Sequence, residues 1–309
     1  MRAVYFDDGK AVLREIEEPS DEGVKVHVKS IGICGSDLHM LERKFPVDCI
    51  AGHEIGGILE DGTPVAVEPV IPCEECQFCR SGKYNLCPQA KVLGIARNGG
   101  MAEAVTVPER CLVYLPSNID VKDACLIEPL AVAMHGMRQA GVNSNQRVAV
   151  IGGGTVGLCA VAIAGAGHAE VDLAAKYEHQ ITIGQRLGAG EIKGQYDLVV
   201  DCVGADKAID QALGLCRPGG KILILGTYWE GINFVQLLAM MKEVSIINSY
   251  MYSESGGGRD FDLAAALLSR NPEISASLIT HRFPLAEAEK AFAVARDRGT
   301  GAIKVVLEP

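Results

Sequence analysis

Three things are missing from this 309-residue chain. No apolar run approaches the roughly 20 residues that a bilayer-spanning helix needs, so a membrane-spanning helix is excluded. Basic residues are in deficit. Lys and Arg number 29 against 39 Asp and Glu, and the formal net charge of −10 argues against nucleic acid or an anionic membrane as partner. The N-terminus lacks a signal-peptide pattern, so a cytoplasmic location is expected. In that setting the 11 cysteines, an odd number, read as reduced thiols and metal ligands rather than disulfides. What is plentiful is apolar residues, at 48%, enough to bury a sizeable core in one large domain or two ordinary ones.

The most informative stretch runs from Arg147 to Gly157. Val148-Ala-Val-Ile151 is wholly apolar, as suits a strand of a parallel sheet buried on both faces. Gly152, Gly154 and Gly157 follow in G-x-G-x-x-G spacing, with Gly153, Thr155 and Val156 between them. Leu158 to Ala164 then reads as a buried helix. Strand, glycine turn and helix N-terminus together make a pyrophosphate site, because backbone N–H groups point at the anion and absent side chains let it approach. With 35 glycines in the chain the spacing alone would be weak, but its place between strand and helix makes it specific.

Three further stretches carry metal chemistry. Cys34-Gly-Ser-Asp-Leu-His39 gathers a soft thiol, a hydroxyl at Ser36, and two groups able to carry or orient protons, Asp37 and His39. Gly52-His-Glu54 adds an imidazole and a carboxylate. A thiolate, an imidazole and a carboxylate in one place are what a catalytic zinc with an open fourth position needs. Cys73, Cys76, Cys79 and Cys87 lie on one short loop bracketed by Pro72 and Pro88. Four thiolates so spaced close a tetrahedral structural zinc site, with an iron–sulfur cluster or free thiols as the alternatives.

On these residues the chain resembles the zinc-containing medium-chain dehydrogenases, the alcohol, sorbitol and butanediol dehydrogenases among them. It matches Cys-Gly-Ser-Asp-x-His at 34–39, Gly-His-Glu at 52–54, the four-cysteine lobe at 73–87 and the cofactor turn at 152–157, in the family's order. The resemblance implies an α/β protein, a Rossmann-type parallel-sheet cofactor domain plus a mainly-β, GroES-like catalytic domain. Residues 1–128 would form the catalytic domain, 129–256 the dinucleotide-binding domain, and 257–309 a return to the catalytic domain. It further implies two zinc ions per chain. Cys34 and His53 would hold the catalytic one, Ser36 would touch the substrate oxygen, His39 would relay its proton to solvent, and Asp37 would orient His53.

The third ligand is expected to be Glu128, directly or through the zinc-bound water. Leu126-Ile-Glu-Pro-Leu130 places Glu128 in an otherwise apolar segment, where a buried carboxylate needs a partner that a metal can supply. The segment resembles the Glu-Pro version of the sorbitol and butanediol enzymes. Glu54 is the rival, and a carboxylate stabilised by a helix N-terminus is the plain alternative for Glu128.

A dinucleotide fold usually ends its second strand in an acid that grips the ribose. Aligning Leu187-Gly-Ala189 with the family puts that end at Ala175, with Asp172 too early in the strand. Lys176 follows, with His179 and Gln180 one turn on. A small neutral residue and a cation suit a 2′-phosphate, so NADP(H) is favoured over NAD(H). Cys202, Val203, Gly204, Gly226 and Thr227 sit at the C-terminal ends of later strands, where ligands of open α/β sheets bind. Too few residues separate Gly190 from Tyr196 for a full strand and helix, so the third unit of the sheet is expected to be lost or short. Ser255-Gly-Gly-Gly-Arg259 reads as a flexible join. Phe45, Tyr84, Ile95, Met251 and Tyr252 are candidate pocket residues. The expected activity is hydride exchange between NADP(H) and a secondary alcohol or polyol or its ketone. Amino-alcohol oxidation and a non-catalytic redox sensor or scaffold are the alternatives, and a homodimer or homotetramer is expected.

Overall fold

The computed structural model describes all 309 residues. They divide into two compact units, one of Met1–Glu128 with Ser253–Pro309 and one of Pro129–Tyr252.

The first unit is built on a seven-stranded sheet. Its order is Ile279–Pro284, Lys304–Glu308, Val24–Gly32, Glu54–Ile58, Pro64–Val67 and Leu112–Tyr114, with Ala104–Val107 also paired to Val24–Gly32. All pairs are antiparallel except the outermost, Ile279–Pro284 with Lys304–Glu308. The period-two stretch from Val24 does what its pattern implies. Val26 and Val28 are buried, whereas Lys25, His27 and Lys29 on the other face are not. Ile31, Ile55, Val65, Val67, Val105 and Val107 complete that core, covered by Leu285 and Phe292. The last strand pairs Leu307 with Ile31 and Val306 with Gly32, so the C-terminal segment is part of this sheet.

The expected flexible join is in fact a tied ribbon. Glu254–Ser255 pairs with Gly258–Arg259 around the glycines. The Arg259 guanidinium then donates to the carbonyls of Arg110 (2.8 Å) and Leu112 (3.3 Å) and pairs with Asp262 (3.0 Å) and Glu68 (3.4 Å). A planar head with five N–H donors can satisfy several partners at once, which a glycine count does not reveal.

The second unit is an all-parallel six-stranded sheet. Its order is Gly190–Glu191, Glu170–Ala174, Arg147–Ile151, Tyr196–Asp201, Cys216–Ile224 and Ser245–Asn248. Counted along the chain this is 3-2-1-4-5-6, the doubly wound dinucleotide order. The helix Thr155–Ala166 is buried continuously from Gly157 to Ala164, so its apolar sequence has no polar face to show. The third strand survives as a two-residue stub. Residues 192–195 alone carry the chain from there past two strands to Tyr196, with no crossover helix. Arg147 and Tyr196 close the gap. The guanidinium lies 4.7 Å from the Tyr196 ring centroid and donates to the carbonyls of Lys193 (2.9 Å) and Gln195 (2.7 Å). No helix of either unit is long and apolar enough to cross a membrane.

Candidate active site

In the first unit the helix Gly35–Glu42 starts at Cys34, and its start is set by Asp37. Asp37 Oδ2 accepts the Cys34 backbone N–H at 2.9 Å, the reach-back of a capping box. The other oxygen, Oδ1, lies 3.6 Å from His53 Nδ1. Both atoms are buried and neither has a hydrogen-bond partner. Ser36 Oγ lies 3.4 Å from the other ring nitrogen, Nε2, and the Cys34 side chain is close enough to raise the imidazole's affinity for a proton. Glu128, in the first turn of the helix Ile127–Ala140, is buried and close enough to feel the His53 charge. Four of the expected residues, Cys34, Ser36, Asp37 and His53, thus meet, and Glu128 joins them. His39 is exposed, three residues beyond Ser36 on the same helix.

The charge states say what the cluster lacks. Burial opposes a charged His53, yet Asp37, Cys34 and Glu128 together hold the imidazole well above its ordinary value. Burial pushes the Glu128 carboxyl up to about 7, with His53 pulling the other way. Burial also raises Asp37. Protons are therefore drawn into the cluster to balance acidic groups that water cannot reach. A divalent cation would replace them, leaving a neutral imidazole ligated at one nitrogen and donating from Nδ1 to Asp37, the arrangement metal-bound histidines adopt. The donor set fits zinc.

Glu54 is held elsewhere. Lys304 Nζ, itself buried, donates to both its oxygens at 2.7 and 2.6 Å and to the Ile33 carbonyl at 3.0 Å. Gly32, opposite Glu54 in the sheet, makes the room: a Cβ there would stand 1.8 Å from Glu54 Oε2.

The four cysteines converge. All their sulfurs lie within 4.8 Å of one another, with Cys76–Cys79 and Cys73–Cys87 at 3.5 Å and Cys73–Cys79 at 3.9 Å. Four sulfurs about 2.3 Å from a tetrahedral zinc stand about 3.8 Å apart, so the loop fits that ion. Backbone N–H groups of Cys76 and Glu75 bring the Cys73 thiol down to about 7, and burial sends Cys79 up to about 12. Two candidate pocket residues have other neighbours. The Tyr84 ring carries the Arg110 guanidinium at 5.0 Å from its centroid. Phe45 lines a separate surface pocket with Phe6, Asp7 and Pro46.

In the second unit the glycine turn has the expected form. Gly152 takes φ +103°, and a Cβ on Gly157 would stand 1.8 Å from the Gly152 carbonyl oxygen. Gly154 caps the helix Thr155–Ala166, leaving its first N–H groups open. Ala175 is the first residue past Glu170–Ala174. Asp172 is engaged inside the sheet, accepting from the Tyr196 hydroxyl at 2.7 Å with Arg147 3.5 Å away. Lys176 is exposed, 5.2 Å from the Tyr177 ring centroid, and His179 stacks on that tyrosine at 5.5 Å between ring centroids. Gln180 is buried against the Gly153 turn. The lysine-bound Glu54 owes its surroundings to a residue that nothing in the sequence singles out, Lys304.

Known proteins agree with this architecture. Residues 20–117 match the alcohol dehydrogenase GroES-like domain and residues 155–270 the zinc-binding dehydrogenase family. The chain is similar to sorbitol dehydrogenase of Arabidopsis thaliana, at 31% identity over 92% of this chain and 88% of that one. Among solved structures, a Sinorhizobium meliloti 1021 protein bound to NADP has a TM-score of 0.88 at 27% identity, covering 100% of this chain and 99% of the other. An alcohol dehydrogenase of Escherichia coli CFT073 with NADH has 0.89 at 26%, with the same coverage. The chain belongs to the zinc-containing medium-chain dehydrogenase family and is an enzyme of that class.

Proposed function

We propose that the chain oxidises a secondary alcohol or polyol, or reduces the matching ketone, with NADP(H). In this reading Cys34, His53 and Glu128 hold a catalytic zinc, and Cys73, Cys76, Cys79 and Cys87 hold a structural one. The observation that carries it is the half-buried Cys34 thiol and Ser36 beside the buried His53 imidazole, with the buried Glu128 carboxyl close enough to feel the His53 charge, while Lys304 occupies the carboxylate of the rival ligand Glu54. The sorbitol dehydrogenase relative favours a polyhydroxylated substrate over an amino alcohol.

When bound, zinc supplies a Lewis acid that makes an alcohol proton easier to remove, and the nicotinamide supplies the hydride acceptor. The residues do the rest. Ser36 takes the alcohol proton, and His39, at i+3 on the same helix face and open to water, passes it to solvent. Asp37 fixes the His53 ring from Nδ1, and its bond to the Cys34 N–H fixes the helix start that carries the thiol. One proton and one hydride leave the carbinol, so the products are ketone, NADPH and a proton. For the nucleotide, Ala175 offers no carboxylate to a ribose hydroxyl, Asp172 is spent within the sheet, and Lys176 presents a cation.

Self-association belongs to the same reading. The strand Ser245–Asn248 ends its sheet, and Val235, Leu237, Met240 and Met241 expose over half of their surface beside it in sequence. The decisive experiment is an absorbance screen of polyols, alcohols and ketones with NADP(H) and NAD(H), with zinc measured on the same sample. Turnover that persists in Cys34→Ser with unchanged zinc content would refute the ligand assignment.

A further inference from the structure

Three residues of the four-cysteine loop reach beyond it. Gly82 meets the ribbon formed by Glu254–Ser255 and Gly258–Arg259 directly. Its carbonyl accepts the Glu254 N–H at 2.8 Å. The approach is so close that a Cβ on Gly82, which takes φ +76°, would stand 2.6 Å from the Glu254 carbonyl oxygen. Glu74 and Tyr84 both touch Arg110. Its Nε lies 3.4 Å from Glu74 Oε1, and its guanidinium rests 5.0 Å from the Tyr84 ring centroid. Arg110 Nη2 in turn stands 3.9 Å from Glu68 Oε1, and Arg259 Nη1, in the ribbon, 3.4 Å from Glu68 Oε2. Glu68 is fully buried, so its charge depends on both guanidiniums. Arg259 Nη1 also donates to the Arg110 carbonyl at 2.8 Å. Loop and ribbon are thus joined twice, once by backbone and once through a buried carboxylate held between two arginines. Both belong to the first unit.

The two ends of the ribbon are closed on each other. The Ser253 N–H donates to Asp260 Oδ2 at 2.8 Å and the Asp260 N–H to the Ser253 carbonyl at 2.9 Å, with both residues buried. Just before Ser253 the chain passes Met251, at φ +54°, and then the buried Tyr252. A side chain in that left-handed region is strained, and such strain persists only where the surroundings over-determine it. On the C-terminal side those surroundings are the ribbon and its anchors. We propose that the four-cysteine loop and the ribbon are one coupled unit. A loop closed on its metal orders residues 253–260 and, through them, the backbone of Met251 and Tyr252, and the Arg259 anchor in turn strengthens the hold of the four sulfurs on their metal. The inference rests on the zinc reading of Cys73, Cys76, Cys79 and Cys87 above. Such coupling is reciprocal by thermodynamic necessity: the factor by which metal favours the ordered ribbon is the factor by which the ordered ribbon favours metal. A loop that takes no part in the chemistry thereby governs a segment carrying two candidate pocket residues.

Two measurements test it from opposite ends. The first removes the metal and reads the ribbon. In Cys79→Ser, hydrogen exchange by mass spectrometry should show peptides covering 250–260 exchanging about tenfold faster, a factor within the range such couplings span. Peptides covering Ile279–Pro284, in the sheet of the same unit, should stay within about twofold of wild type by the same reasoning. The second alters the ribbon and reads the metal. Arg259→Met keeps an apolar stem and removes the donors. It is made in Cys34→Ser protein, so that the four cysteines are the remaining zinc site. Competition with a chelating dye should then show zinc held about tenfold more weakly than in Cys34→Ser alone. Unchanged exchange at 250–260 on metal loss, or unchanged zinc affinity in the Arg259→Met protein, overturns the coupling and leaves the zinc site standing. Equal acceleration in the Ile279–Pro284 peptides overturns it as well, since the metal would then be supporting the whole unit. Wild-type protein with no metal on the four cysteines would instead remove the zinc reading, and the inference with it.

Discussion

Lys304→Met is the sharpest test of how the first unit holds its acids. The lysine is buried, its ammonium bonds both oxygens of buried Glu54, and its third partner is a backbone carbonyl. Methionine has a similar length and fits an apolar strand, so the change removes charge and donors with little loss of packing. Removing one partner of a buried ion pair typically costs about 3–5 kcal/mol, because the remaining charge is left uncompensated. At about 1.4 kcal/mol per factor of ten, that is a rise of roughly 100- to 4000-fold in the opening equilibrium of the unit. The assay must look at the right half of the chain. The single tryptophan, Trp229, belongs to the other unit, so its fluorescence is expected to change little. Hydrogen exchange by mass spectrometry reads the sheet directly, and peptides spanning Val24–Gly32 and Lys304–Glu308 should lose protection by that factor. Glu54→Gln in the Lys304→Met background removes the stranded charge and should restore most of it, a coupling that a double-mutant cycle measures. Protection within tenfold of wild type in the single variant would refute the reasoning, as would a double variant no better than the single.

Three other outcomes are expected. Cys79→Ser should lose one zinc per chain and make the 73–87 loop sensitive to protease, because a structural zinc supplies folding energy to its loop; unchanged zinc content and digestion would contradict the assignment. Ala175→Asp should move the NADP/NAD preference at least tenfold towards NAD, since a carboxylate repels a 2′-phosphate and can accept from a ribose hydroxyl; nucleotide titration of both forms checks it. Leu237→Glu combined with Met241→Glu should lower the mass seen by light scattering at micromolar concentration by charging the exposed apolar row; an unchanged mass would place any self-association elsewhere.

Much of the chemistry could be read in the sequence because it is local. A glycine turn, the Cys-Gly-Ser-Asp-Leu-His stretch from Cys34 and four cysteines on one loop each announce themselves within 15 residues. The shortened third unit was visible as a simple lack of chain between Gly190 and Tyr196. What could not be read is set by contacts between distant segments. Lys304 sits in a five-residue strand with nothing to mark its ammonium as buried, and its partner is 250 residues away. That contact engages Glu54, the rival that motif reasoning sets against Glu128. Arg259 likewise follows three glycines, and its anchoring carbonyls lie nearly 150 residues earlier.

The stub at Gly190–Glu191 also has a practical side. Lys193, Gly194 and Gln195 are exposed, and the Arg147–Tyr196 stack holds the chain on the sheet without help from the missing helix. Gly194 is therefore a natural splice point. A foreign helix or a small reporter module introduced there would hang from a sheet that is already self-supporting, at the opposite strand ends from the glycine turn.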